Sequence, residues 1–287
     1  MGDKVYLDYT QDELDRAYDQ RVWASNADEI LRRCEAASVA ARAGLFHRSG
    51  VAYGPGADEL LDIFAAAREN APIHVHIHGG SWRHLTKDNQ SYLAPAFVAA
   101  GAVSIMLNFS VIPNVRIPEM VAQIRRAIAW IYHNAESFGG NKNQIHLTGD
   151  SSGAHLGGVM ATTDWPDFGL PADVITSASL LSGMYDLRPV MLSARRNFVT
   201  LTPEEVEDFS ALLHLDRLRT RILIAYGTRE SPEFLRQSKE FFAAAKAAGV
   251  RIRAIEIPGA NHYEMHELLG EPGGMLVGAV LETMEIG

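Results

Sequence analysis

The residues best suited to chemistry lie in Ile145-His146-Leu147-Thr148-Gly149-Asp150-Ser151-Ser152-Gly153-Ala154-His155. The run reads as a short apolar strand, a serine flanked by glycines, and a helix start. Gly149-x-Ser151-x-Gly153 fits a nucleophile elbow, a strained strand-to-helix turn that lifts one serine clear of the sheet edge. Backbone and helix approach so closely in such a turn that side chains at the two glycines would collide. The helix start aims free N–H groups and a positive dipole end at the serine, which suits a developing oxyanion. Five residues of this kind are a weak signal alone. Their weight depends on a base, an acid and oxyanion donors appearing in the right order.

Those groups appear after other predicted strands. His78-Gly79-Gly80-Ser81-Trp82 follows one, and its paired glycines leave backbone N–H groups uncovered. Gly79 and Gly80, with Ser152 after the nucleophile, are the expected oxyanion donors. Glu230 follows a later strand, where a triad acid would hold an imidazole in its useful tautomer. Glu233 is its competitor, although a glutamate in a first helical turn is already explained by the dipole. His262, in Pro258-Gly259-Ala260-Asn261-His262, is the expected base, and His266 would share its helix face one turn on. The chain order serine, acid, histidine is the one this arrangement requires. Trp82, Tyr185 and Phe198 are candidates for an aromatic-lined substrate pocket, with burial in the core as the plain alternative for each. His155 is expected to pack or hydrogen-bond beneath the nucleophile.

One rival chemistry is open to the sequence. His74, His76 and His78 alternate along one strand and so share a face, a row that can supply metal ligands. No cysteine or Asp-His partner accompanies them, and His78 runs into Gly79-Gly80, so neither a metal nor any other cofactor is expected.

The elements that must position these groups follow from periodicity. Thr10-Gln11-Asp12-Glu13 has the form of a capping box, and a second helix opens near Asn26 and ends near Gly44. Whether these helices cover the active edge or the back of the sheet is left open. The segments around 51–53 and 60–64 read as an antiparallel pair. Strands are then predicted at 73–77, 102–108, 144–148, 175–181, 222–226 and 251–257. Helices are predicted at 91–100, 118–137, 152–162, 203–213, 232–248 and within the last twenty residues. Nearly all-apolar strands, each followed by a helix, indicate a mostly parallel sheet of about eight strands covered on both faces. The 287 residues make one α/β domain, with an N-terminal helical segment over 1–44 and a small cap-like insertion over 184–219.

Composition narrows the function. The net charge of −9 argues against nucleic acid or an anionic membrane as partner. Cys34 is the only cysteine, which excludes an intrachain disulfide, and no apolar run approaches a membrane span. A cytoplasmic address is the expectation, and a homodimer is the default guess with no residue behind it.

Assembled, these residues resemble an α/β-hydrolase, and more narrowly the kynurenine formamidase (arylformamidase) group and its carboxylesterase relatives. The resemblance rests on His78-Gly79-Gly80-Ser81-Trp82, Leu14-Asp15-Arg16-Ala17-Tyr18 and Phe138-Gly139-Gly140. It continues through Leu181-Ser182-Gly183-Met184-Tyr185-Asp186-Leu187, Ser231-Pro232-Glu233-Phe234 with Gln237-Ser238, and Asn261-His262-Tyr263-Glu264-Met265. It implies Ser151 as nucleophile, His262 as base and Glu230 as acid, where the family more often has aspartate. The elbow also departs from the commoner Gly-x-Ser-Ala-Gly-Gly-His. The implied activity is hydrolysis of a small N-formyl or N-acyl arylamine, as in tryptophan catabolism, or of a carboxylic ester. A general short-chain carboxylesterase is one alternative. A non-catalytic binding scaffold is the alternative of another class.

Overall fold

The computed structural model describes residues 2–286. A two-stranded ribbon opens it, β1 (Lys4–Tyr6) and β2 (Tyr9–Thr10), followed by α1 (Gln11–Tyr18) and α2 (Ala27–Gly44). The capping box at Thr10 is formed, with Glu13 bonded back to the Thr10 backbone.

Eight further strands build one sheet: β3 (His47–Ala52), β4 (Leu60–Phe64), β5 (Ala71–Ile77), β6 (Val103–Leu107), β7 (Gly140–Asp150), β8 (Ile175–Leu181), β9 (Arg221–Gly227) and β10 (Ile252–Ile257). Their spatial order is β10-β9-β8-β7-β5-β6-β4-β3. β4 runs antiparallel to both β3 and β6, and every other pairing in the sheet is parallel. The helices α3 (Ala94–Ala99), α4 (Ile117–Asn134), α5 (Ser152–Ala161), α6 (Arg188–Leu192), α7 (Pro203–Asp208), α8 (Pro232–Ala247), α9 (His262–Leu269) and α10 (Met275–Met284) complete the chain.

Alternation along the strands divides the core in two. Ile73, Val75 and Ile77 join the cluster that holds Ile124 of α4, Leu156 of α5 and Phe241 of α8. Met106, Leu181 and Leu223 join a second cluster with Ile30 of α2, Phe97 of α3, Met265 of α9 and Val280 of α10. Helices therefore cover both faces, and the serine turn lies where β7 emerges between them.

Three predicted helices differ from those observed. The span 91–100 is a 3-10 turn over Lys87–Leu93 followed by the short α3. The span 203–213 stops at Asp208 because Ser210 turns inward: its hydroxyl donates to the Val206 carbonyl and accepts from the Leu187 N–H at 2.9 Å. The C-terminal helix is two helices, parted at Gly270-Glu271-Pro272, where proline cannot continue the ladder.

Among the described residues, no helix is long and apolar enough to cross a membrane.

Candidate active site

Ser151 sits between β7 and α5 with φ 54° and ψ −119°, a conformation costly for a residue with a side chain. Its N–H is tied to the Leu181 carbonyl at 2.8 Å. The flanking glycines permit the turn: a Cβ on Gly149 would lie 2.4 Å from the Gly153 carbonyl oxygen, and one on Gly153 would lie 2.0 Å from that of Ile77. The strain is a local consequence of packing α5 directly against β5 and β7.

The Ser151 hydroxyl donates to His262 Nε2 at 3.0 Å, and His262 Nδ1 donates to Glu230 Oε2 at 2.9 Å. His262 is the first residue of α9, rather than on a free loop, and Asn261 caps that helix by accepting from the Tyr263 and Glu264 N–H groups. The signal was in the sequence, as Asn261 with Glu264 three residues on. Glu230 is fixed by its other oxygen, which accepts from the Gly227 N–H at 2.7 Å and the Ser182 hydroxyl at 2.6 Å. Ser182, held at φ 52° after β8, escaped the reading of the sequence. Glu233 faces elsewhere, taking a two-pronged contact from Arg236 and a hydrogen bond from Tyr18. Burial lowers the pKa of His262, and its bond to Glu230 only partly opposes this. The imidazole is therefore neutral near pH 7 and able to accept a proton.

The loop after β5 holds three successive residues at positive φ: Gly80 at 97°, Ser81 at 55° and Trp82 at 60°. Here the structure corrects one expected donor. The Gly79 N–H already serves Asp150 Oδ1 at 3.2 Å, and a Cβ on Gly79 would lie 2.3 Å from the Asp150 carboxylate. Gly80 and Ser81 line the cavity beside Ser151 instead. Among the described residues none accepts from the N–H of either. Ser152 opens α5, where N–H groups have no acceptor within the helix. Its hydroxyl accepts from the Trp82 N–H at 3.1 Å, which locks the loop onto the elbow.

The three proposed pocket aromatics are also corrected. Tyr185 is fully buried, stacked on Phe241 with ring centres 4.3 Å apart. Trp82 is buried one layer behind the cavity, its indole N–H bonded to His155 Nδ1 at 3.2 Å. His155 Nε2 donates in turn to the Phe209 carbonyl, and burial pushes its pKa down to about 4. Phe198 stacks under Arg83 outside the cavity wall.

The cavity that contains Ser151 and His262 measures about 340 Å³. Its wall comes from Tyr18, Gln20, His84, Leu85, Arg195, Tyr263 and His266, among others. The N-terminal segment thus packs over the active edge, the alternative left open by the sequence. A larger hollow of about 620 Å³ lies around Arg68, Asn70 and Gly139, at the amino ends of the strands and away from the serine.

Two buried basic side chains border the cavity. Arg195 is 6% exposed and donates from Nη2 to the Tyr18 carbonyl at 2.9 Å, while Nη1 is buried with no partner. The rings of Tyr18, Trp82 and Phe234 lie 5.5–5.9 Å from its guanidinium carbon. Burial lowers its pKa to about 10, so it stays charged at neutral pH. Three ring faces at about 0.5–2 kcal/mol each and one charged hydrogen bond at about 1.5–3 kcal/mol support the cation. They leave Nη1 without an acceptor.

The second is His266. Burial disfavours its charge, but the Asp150 carboxylate, 2.7 Å from Nδ1, prevails and raises its pKa. Asp150 also lies 3.1 Å from His76 Nε2. Behind it, His76 and His74 both reach the Thr148 hydroxyl, and His74 also reaches that of Ser104. His78 leaves this track to stack on Phe109, and burial takes its pKa down to about 4. Among the described residues no group of three His, Cys, Asp or Glu side chains is arranged to hold a metal. Cys34 packs against the second cluster, and burial pushes its thiol up to about 12.

The comparisons with known proteins agree with this geometry. The BD-FAE family model matches residues 61–173. A kynurenine formamidase of Danio rerio is 28% identical over 96% of this chain and 97% of its own length. The crystal structure of a Silicibacter sp. TM1040 protein, provisionally termed a thioesterase, superposes with a TM-score of 0.82. It is 25% identical and covers 93% of this chain and 98% of its own.

The chain is an α/β-hydrolase.

Its relatives include kynurenine formamidases and carboxylesterases. Esterase LipC of Mycobacterium tuberculosis is another member of that set, 28% identical over 75% of this chain and 59% of its own length. This hydrolase is an enzyme, and Ser151, His262 and Glu230 form one hydrogen-bonded line at its cavity.

Proposed function

We propose that this enzyme cleaves small N-formyl or N-acyl arylamines or carboxylic esters through an acyl-enzyme on Ser151. The single observation that carries the reading is the unbroken hydrogen-bonded line from Ser151 Oγ to His262 to Glu230, ending on a strained elbow that faces a cavity. Ser151 Oγ attacks the scissile carbonyl carbon as its proton passes to His262 Nε2. The N–H groups of Gly80, Ser81 and Ser152 are the donors for the oxyanion. As the tetrahedral intermediate collapses, the bond to the leaving nitrogen or oxygen breaks and His262 returns the proton to that atom. Water then gives a proton to His262 and its oxygen to the acyl carbon, after which the bond from Ser151 Oγ to that carbon breaks and His262 returns the proton to Oγ, freeing the acid. Glu230 keeps Nδ1 protonated throughout and stabilises the imidazolium.

Residues 184–219 act in this reading as a small insertion that brings Arg195 to the cavity, with the N-terminal helical segment completing the wall. The compartment is the cytoplasm, in keeping with the absence, among the described residues, of a membrane-spanning helix. The substrate is a small molecule, as formamidase and esterase relatives suggest.

The test is kcat/KM for N-formylkynurenine beside short-chain 4-nitrophenyl esters, with Ser151→Ala as the blank. Removing the nucleophile should cost on the order of 10⁶-fold in turnover. Wild-type turnover by Ser151→Ala would refute the mechanism. A formamide preferred by orders of magnitude would make the enzyme an arylformamidase, and turnover of esters alone would make it a carboxylesterase.

A further inference from the structure

A hydrolase of neutral short-chain esters has no use for a buried, unneutralised positive charge in its substrate cavity, and Arg195 puts one there, with the His266 imidazole on the same wall. Arg195 presents a buried Nη1 and His266 a buried Nε2, neither with a partner, and both residues line the same wall as Ser151 and His262. We propose that Arg195, assisted by His266, binds a carboxylate on the substrate, so that the preferred substrate is an anionic ester or aryl formamide.

The proposal builds on the acyl-enzyme reading above and adds the substrate's charge to it. Four observations support it. First, Arg195 is anchored rather than mobile: its N–H bonds to the Ser193 hydroxyl at 3.2 Å, and its carbonyl accepts from the Phe198 and Val199 N–H groups. The guanidinium is pinned by the Tyr18 carbonyl, which leaves the Nη1 side for a ligand. Second, the cavity wall contains no buried carboxylate to neutralise it. Asp19 is the one acidic residue there, and it is exposed, with Oδ1 committed to the Arg21 N–H at 3.1 Å. Arg21 is itself paired with Asp28.

Third, His266 cannot serve the reacting serine in place of His262, because its Nδ1 faces Asp150 and its Nε2 is unbonded. Its contribution is a second unpartnered ring nitrogen on the same cavity wall. Fourth, the aromatic faces of Tyr18, Trp82 and Phe234 around Arg195 exclude water without supplying an anion. A planar guanidinium held in such a frame matches a carboxylate by two parallel N–H donors.

Two matched substrate pairs test this, one carrying the charge on each side of the scissile bond. The first is 3-carboxyphenyl acetate against 3-carbamoylphenyl acetate. The second is the mono-4-nitrophenyl ester of glutaric acid against that of glutaramic acid. Wild type should favour the carboxylate member of at least one pair by about 10- to 100-fold in kcat/KM, expressed mainly in KM. Arg195→Met should bring that ratio close to one, and Arg195→Lys should restore part of it.

A wild-type ratio near one for both pairs overturns the proposal, and so does a preference that survives Arg195→Met. Titration of the wild type with benzoate and with benzamide by calorimetry gives a reading independent of turnover and of how well the variants fold. Benzoate should bind at least tenfold more tightly, and equal affinities would overturn the proposal. If none of the four esters turns over while benzoate still binds selectively, the acyl-enzyme reading fails and the anion site stands.

Discussion

Two carboxylate–imidazole pairs stand side by side at the carboxyl edge of the sheet, Glu230 with His262 and Asp150 with His266. The imidazoles belong to successive turns of α9, with ring centres 5.3 Å apart. Both pairs are buried, yet their surroundings drive the imidazoles in opposite directions. Burial prevails at His262 and lowers its pKa, whereas the Asp150 carboxylate prevails at His266 and raises it. The free nitrogen of His262 meets a serine hydroxyl, and that of His266 meets none. In the proposed mechanism the first pair moves a proton, whereas the surroundings of the second favour the charged form of its imidazole. Two imidazoles tuned apart within one site mark a division of labour, which the presence of two Asp/Glu–His pairs in the sequence could not assign.

The contrast is open to attack from either side. The largest expected effect is on the catalytic pair. Glu230→Gln keeps the shape but lets an amide donor face Nδ1 and favours the wrong tautomer, so kcat should fall about 10⁴-fold in steady-state assays. Asp150→Asn should damage stability more than chemistry. Burial opposes the Asp150 charge, but His266 and His76 hold its carboxyl well below the usual range. Removing one member of such a pair costs about 3–5 kcal/mol, readable as a lower urea midpoint. If Asp150→Asn were as inactive as expected for Glu230→Gln while remaining as stable as wild type, the two roles would be exchanged.

Smaller effects follow from pH. His262 works when neutral, and its pKa lies below the ordinary 6.5, so the acid limb of kcat/KM should have its midpoint below pH 6.5. A midpoint at or above 6.5 would contradict the assignment. His266 has the opposite sign. A raised folded-state pKa contributes stability that is complete below the unfolded value near 6.5 and is lost as pH rises through the folded value. Denaturation midpoints measured as pH rises from 6.5 should decline in wild type and lose this component in Asp150→Asn.

How much of this was legible in the sequence depends on the range of the contact involved. Strand ends in a parallel sheet lie at one edge, so Ser151, Glu230 and His262 could each be located by the strand it follows. The same logic gave the sheet and the helices on its two faces. The pocket wall has no such register. For Tyr185 and Phe198 the sequence leaves pocket and core equally open, and Tyr185 is drawn into the core by Phe241. Arg195 sits in Ala194-Arg195-Arg196, with nothing local to separate it from its solvent-facing neighbour. Its burial depends on Tyr18, Trp82 and Phe234 arriving from three distant parts of the chain. Gly79 was misjudged for a related reason: the rival for its N–H, Asp150, lies in another strand.

The wall built by the N-terminal segment bears on the order in which the protein is made. A ribosome releases Ala17, Tyr18 and Gln20 long before their partners. The Tyr18 hydroxyl waits for Glu233 and Gln237, the Gln20 amide for Ser231, and the Ala17 carbonyl for the Ser231 hydroxyl, all separated by more than two hundred residues. The first wall of the cavity to be synthesised is therefore among the last to be fastened. During translation the nascent chain holds an elbow serine with neither its histidine nor a closed pocket, and hydrolytic capacity arrives only when α8 and α9 have been added.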